Sequence, residues 1–104
     1  YIDDTVSGII SGVDYLLEND KVYETLNLGN QNPVQLKALI EVIYDAMDCA
    51  PAIIQKGMQD GDVNITYANI EKANALLGYK PEVSINEGVK RFVEWYKKLQ
   101  RANA

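Results

Sequence analysis

Apolar residues recur along this chain mainly at helical spacing, and four stretches carry the pattern far enough to predict amphipathic helices. Between about Asp4 and Glu18, residues Val6, Ile9, Ile10, Val13 and Leu17 fall on one face, and Asp3 stands where an N-cap belongs. Leu36, Leu39, Ile40, Ile43 and Met47 form a second stripe, with Asn32 as N-cap, Pro33 at the first helical position and Gln35 three residues after the cap. A short third helix carries Ala73, Leu76 and Leu77 between the cap Asn69 and Gly78, a residue suited to the left-handed closing position. The last starts at the capping box Ser84-Ile-Asn-Glu87 and runs to about Arg101. Its face of Ile85, Val89, Phe92, Val93 and Tyr96 is widened by Trp95 and Leu99, so either part of this helix contacts something beyond its own core or Trp95 covers a hydrophobic edge locally.

Between the helices the period changes. Val22-Tyr-Glu-Thr-Leu-Asn-Leu28 alternates nearly residue by residue and reads as a strand ended by Gly29. Ala52-Ile-Ile-Gln-Lys56, after the break at Cys49-Ala-Pro51, reads as a second. Strand, helix, strand predicts a right-handed parallel pairing. The expected fold is therefore α/β, an α+β-like small lobe of about four helices with two or three short strands. Met58 to Asn69 stands apart, because Gly61 permits a sharp turn around which Gln59, Asp60 and Asp62 set polar groups. Such a segment is either a plain surface turn or a loop presenting hydrogen-bonding groups to a ligand.

Composition removes several kinds of chemistry. A length of 104 residues suits one small domain over residues 1–104, and 47% hydrophobic residues with a net charge of -5 fit a globular protein without the basic surplus of a nucleic-acid binder. No apolar run approaches the roughly 20 residues that span a bilayer, and no secretion signal is recognisable, so a cytoplasmic setting with no membrane partner is expected. The absence of histidine excludes Ser-His and Cys-His catalysis and leaves zinc with a poor ligand set. Cys49, the single cysteine, has no activating partner and reads as a small buried or half-buried residue at a helix end. Asp60-Gly61-Asp62 lacks the further oxygen ligands of a calcium loop. The chain itself is expected to hold no metal and no catalytic residue.

Taken in order, Tyr1-Ile-Asp-Asp4, Asn27-Leu-Gly-Asn30, Asn32-Pro-Val34, Met58-Gln-Asp-Gly-Asp-Val63, Thr66-Tyr-Ala-Asn69, Leu77-Gly-Tyr-Lys-Pro81 and the run Glu87 to Tyr96 resemble the C-terminal part of a nucleotide-sugar epimerase. The resemblance covers essentially the whole chain and is nearest to the UDP-glucuronate 4-epimerase branch of the extended short-chain dehydrogenase/reductases. It implies a parent enzyme that holds NAD on an N-terminal Rossmann domain and inverts a sugar carbon through a keto intermediate, with this chain as the C-terminal substrate-binding lobe. The family's glycine-rich phosphate motif is absent here, and none of the seven tyrosines has a lysine four residues on, so the chain alone is expected to be inactive and to bind no cofactor.

The resemblance carries a substrate-binding role onto Gln59 and Asp62, Gln59 donating to a phosphate oxygen and Asp62 accepting from a ribose hydroxyl or fixing a cationic neighbour. Several relatives have Arg at the Gln59 position. An amide supplies neither the charge nor the fork of a guanidinium, so diphosphate neutralisation falls to residues outside the chain. The implied partners are the UDP-sugar and the Rossmann domain of the same polypeptide, whose removal leaves an exposed interface open to self-association. Two other readings stay open: the same lobe in a nucleotide-sugar dehydratase, reductase or decarboxylase, and a stand-alone interaction module.

Overall fold

Four helices, α1 (Ile2–Glu18), α2 (Leu36–Met47), α3 (Glu71–Leu77) and α4 (Ile85–Ala102), follow one another in a computed structural model that describes residues 1–103. All four predicted helices form. The predicted strands do not: among the described residues there is no strand and no sheet, so the chain is all-α and the α/β expectation is overturned. The reason lies in pairing, since a strand exists only against a ladder partner. Segments 22–28 and 52–56 belong to different compact units, and neither makes a backbone-to-backbone hydrogen bond among the described residues. Val22, Leu26 and Leu28 are half-buried while Tyr23, Thr25 and Asn27 are exposed, so the first segment keeps the sidedness of a strand without the ladder. Among the described residues no helix is long and apolar enough to cross a membrane.

The first unit, Tyr1–Pro33 with Ile65–Val83, is built around Ile70, Ala73 and Tyr79, with Leu26, Leu28, Ala68 and Leu77 packed against them. Gly78 closes α3 in the left-handed region at φ 66°, as predicted, and turns the chain so that Tyr79 enters the core at 4% exposure. The Tyr79 hydroxyl donates to the Gly29 carbonyl at 3.0 Å, and Asn74 Nδ2 donates to the Tyr79 carbonyl at 3.1 Å. The phenol thus buries its ring without leaving a polar atom unpaired.

α1 is turned the other way from the expectation. Asp4, Thr5, Gly8, Ser11, Gly12 and Tyr15 are its less exposed positions, while Val6, Ile9, Ile10, Val13 and Leu17, the stripe expected in the core, are exposed. Glycine makes the inward face possible: a Cβ on Gly8 would lie 2.8 Å from Leu28 Cδ2 and 3.0 Å from Tyr79 Cδ2. The N-cap position is held by Tyr1 with no side-chain cap bond, so Asp3 is not the cap. Asp4 has a longer reach, its two carboxylate oxygens accepting from the backbone N–H of Glu82 at 3.0 Å and of Val83 at 3.1 Å. Asp4→Ala leaves both amides without that acceptor and is expected to lower stability by about 1–3 kcal/mol, read from urea denaturation of the 1–104 chain.

The second unit, Val34–Asn64 with the chain from Ser84 onward, rests on the packing of α2 against α4, with Val93 buried between them. Lys97 Nζ donates to the Ala46 carbonyl at 3.0 Å, at the C-terminal end of α2 where a cation is favoured. α2 starts at Leu36 with Gln35 in the cap position, later than expected. Upstream of it, Asn30 Oδ1 accepts from Asn32 N–H at 2.9 Å, an Asx turn. Ser84 caps α4 as predicted, accepting from Glu87 N–H at 3.3 Å. Phe92 and Trp95, with ring centroids 5.6 Å apart, form an exposed aromatic pair on this helix.

One turn into α4, the Arg91 guanidinium donates to Glu87 Oε1 at 2.8 Å. That hydrogen bond, aided by the charges of Arg91 and Lys90, holds the Glu87 carboxyl below its ordinary range. A depressed folded-state value contributes stability above the unfolded value and loses it as pH falls through the folded one. Arg91→Gln is expected to return the Glu87 titration to the ordinary carboxylate range, and added salt to narrow the difference, by NMR titration.

Candidate functional site

Gln59 and Asp62 are brought together by their own backbone. Asp62 N–H donates to the Gln59 carbonyl at 3.2 Å, closing a four-residue turn whose third position is Gly61 at φ 91°. A positive φ at that position defines a type II turn, which a side chain would strain. The side chains of Gln59, Asp60 and Asp62 are exposed and make no hydrogen bond or ion pair among the described residues, and Met58 and Val63 flank them, exposed as well. The turn therefore offers an amide, two carboxylates and an apolar rim to whatever approaches it. Among the described residues no group of His, Cys, Asp or Glu could hold a metal ion, and Cys49 is exposed, contrary to the buried or half-buried place expected for it.

A second concentration of polar groups lies in the first unit, where Asn30, Gln31, Asn32, Glu71, Asn74 and Lys80 border a cleft of about 480 Å³. Its walls are pinned by contacts that the sequence did not reveal. The Asn30 carbonyl accepts from Ala68 N–H at 3.0 Å, and Asn27 Nδ2 donates to the Asn69 carbonyl at 3.5 Å. The N-cap position of α3 falls to Ile70, one residue after the Asn69 expected there, while Asn69 Oδ1 accepts from Glu71 N–H at 3.0 Å. A Cβ on Gly29 would stand 2.9 Å from the Ala68 Cβ, an atom fixed to backbone. Gly29→Ala is accordingly expected to cost about 1–3 kcal/mol of stability, measured by thermal or urea unfolding.

The motif segments containing Gly29, Ala68 and Tyr79 are thus knitted into one packed cluster, which makes them fold determinants first. The chain's residues do not fit an NAD site. Its seven glycines form no G-x-G-x-x-G turn between strand and helix, and Gly8 and Gly29 serve close packing against Leu28 and Ala68.

Comparison with known proteins places the chain beside one class. Along nearly its whole length it is similar to a segment of proteins named UDP-glucuronate 4-epimerase: 37% identical over 98 residues to the one from Thermodesulfobacterium geofontis, covering 93% of this chain and 29% of that protein. A probable UDP-glucuronate 4-epimerase of Rhizobium meliloti is 41% identical over 112 residues, covering 92% of this chain and 33% of the relative. An uncharacterized protein of Methanocaldococcus jannaschii is 45% identical over 96 residues, 92% of this chain and 28% of that protein. The chain therefore spans between about a quarter and a third of the length of these relatives. No protein-family model matches it. No solved structure matches it either.

Proposed function

We propose that this chain is the C-terminal, substrate-binding part of an NAD-dependent UDP-sugar 4-epimerase acting on UDP-glucuronate. The observation that carries the reading is the alignment of more than nine tenths of the chain with relatives named for that activity, at 37% and 41% identity. The Rossmann part of the same polypeptide supplies the NAD site and the Tyr-x-x-x-Lys pair, neither of which this chain contains. NAD, when bound there, takes up and returns the hydride that makes inversion at the sugar carbon possible.

The residues of this chain hold the nucleotide end. Asp62, on its type II turn, accepts from a ribose hydroxyl, and Gln59 donates to a phosphate oxygen. Both side chains are uncommitted to partners within the described structure and are therefore available for this. A cleft with one wall removed loses contacts and preorganisation together, so the isolated chain is inactive and binds UDP-sugars very weakly. Isothermal titration with UDP-glucuronate is expected to show micromolar binding by the full-length protein and no measurable heat with residues 1–104 alone. Micromolar binding by the isolated chain, or no binding by either protein, contradicts the reading.

A further inference from the structure

Asp60-Gly61 is the only Asp-Gly step among the 104 residues, and the sequence contains no Asn-Gly. It forms the centre of the turn that Asp62 N–H closes on the Gln59 carbonyl at 3.2 Å. Gln59, Asp60, Gly61 and Asp62 are all exposed, and a Cβ on Gly61 would meet no atom within 4 Å. Among the described residues neither the Asp60 carboxylate nor the Gly61 N–H has a hydrogen-bond partner. The peptide that joins them is therefore free to rotate, and glycine adds no steric barrier of its own.

The other aspartates lack this combination. Asp3, Asp4, Asp14 and Asp45 lie inside helices, where regular backbone fixes the nitrogen that follows them. Asp20, Asp48 and Asp62 precede Lys21, Cys49 and Val63, whose side chains crowd that nitrogen. Cys49 N–H is also held by the Tyr44 carbonyl at 3.2 Å.

We propose that Asp60 is a site of spontaneous isoaspartate formation and that this modification takes the turn apart. The Gly61 nitrogen attacks Asp60 Cγ. The N–Cγ bond forms, the Cγ–OH bond breaks, and the hydroxyl leaves with the amide hydrogen as water, closing a cyclic imide. Water then adds to one of the two imide carbons. Addition at Cγ restores aspartate, whereas addition at the main-chain carbonyl carbon breaks its bond to the Gly61 nitrogen and leaves the chain running through Cβ and Cγ. The sum is an isomerisation that needs no oxidant, reductant or co-reactant besides water. It puts one extra atom into the backbone between Gln59 and Asp62, so the closing bond of the four-residue turn is lost and the two side chains are no longer held together. The inference does not depend on the functional reading, which adds one expectation: a UDP-sugar seated on the turn holds the peptide still and slows the reaction.

The test incubates the full-length protein at neutral pH in water enriched in heavy oxygen, beside a synthetic peptide of residues 57–72, the tryptic fragment that contains the turn. Peptide mapping with fragmentation that distinguishes isoaspartate from aspartate reads both. Without substrate, heavy oxygen and isoaspartate are expected at residue 60 of the protein at a rate within about 10-fold of the free peptide, since an exposed turn opens at little cost. Asp60→Glu, whose longer side chain closes such a ring poorly, is expected to lose the signal. No isoaspartate at residue 60, or formation slower than that limit, overturns the inference, and so does an equal signal in Asp60→Glu. Saturating UDP-glucuronate separates the two claims. Slower formation in its presence supports both, whereas equal rates in a protein that binds it take the turn out of the nucleotide site and leave the modification standing. Turnover of UDP-glucuronate by a protein that forms no isoaspartate overturns only the modification.

Discussion

Tyr79→Ala is expected to unfold much of the population of the 1–104 chain. Tyr79 is one of the few buried side chains, and its ring touches the inward face of α1 at Gly8 and belongs to the cluster of Ile70 and Ala73. Removing a buried aromatic ring costs about 3–5 kcal/mol, a large share of the roughly 5–15 kcal/mol that holds a domain together. Tyr79→Phe separates the ring from its hydroxyl. It leaves the Gly29 carbonyl without its 3.0 Å donor and is expected to cost about 1 kcal/mol. Urea denaturation followed by circular dichroism reads both variants, and a loss below about 1 kcal/mol for Tyr79→Ala would show that the cluster does not hold the first unit together.

The second large effect concerns the turn. In the full-length protein, Asp62→Ala is expected to raise KM for UDP-glucuronate by about 10-fold or more, since a hydrogen bond to a charged group is worth about 1.5–3 kcal/mol. Turnover should change little, because holding the nucleotide stabilises ground state and transition state alike. Gly61→Ala makes a useful companion, as it strains the turn at φ 91° while keeping both side chains. It should move KM in the same direction. A pure loss of kcat with KM unchanged, in either variant, would assign the turn a different role.

Much of the helical layout was legible in the residues because capping chemistry is local. Ser84 bonds Glu87 N–H and Gly78 adopts a positive φ, each within a few residues of the pattern that announced it. What failed was everything that depends on a partner. Segment 22–28 has the alternation of a strand, but alternation specifies sidedness and says nothing about the neighbour that must accept its hydrogen bonds. The apolar stripe of α1 was legible as a stripe, yet periodicity cannot tell which body covers it. Asp4 looked like a helix-start acid, and its bonds to Glu82 and Val83 lie far along the chain.

The candidate site divides the same way. Gly61 announced the turn, and φ 91° is what its missing side chain allows. Nothing local could announce that Gly29 and Asn30 would pack against Ala68, because that contact joins residues far apart along the chain. The structure gives Gly29, Ala68 and Tyr79 to packing and leaves Gln59 and Asp62 open to solvent.

Whether the proposed parent enzyme inverts C4 of UDP-glucuronate is decided by incubating the full-length protein with NAD and UDP-glucuronate and following the sugar by proton NMR. The 4-epimer is expected to appear and to reach the same equilibrium mixture from either side. A full-length protein that folds and binds NAD, yet leaves UDP-glucuronate unchanged, would contradict that activity.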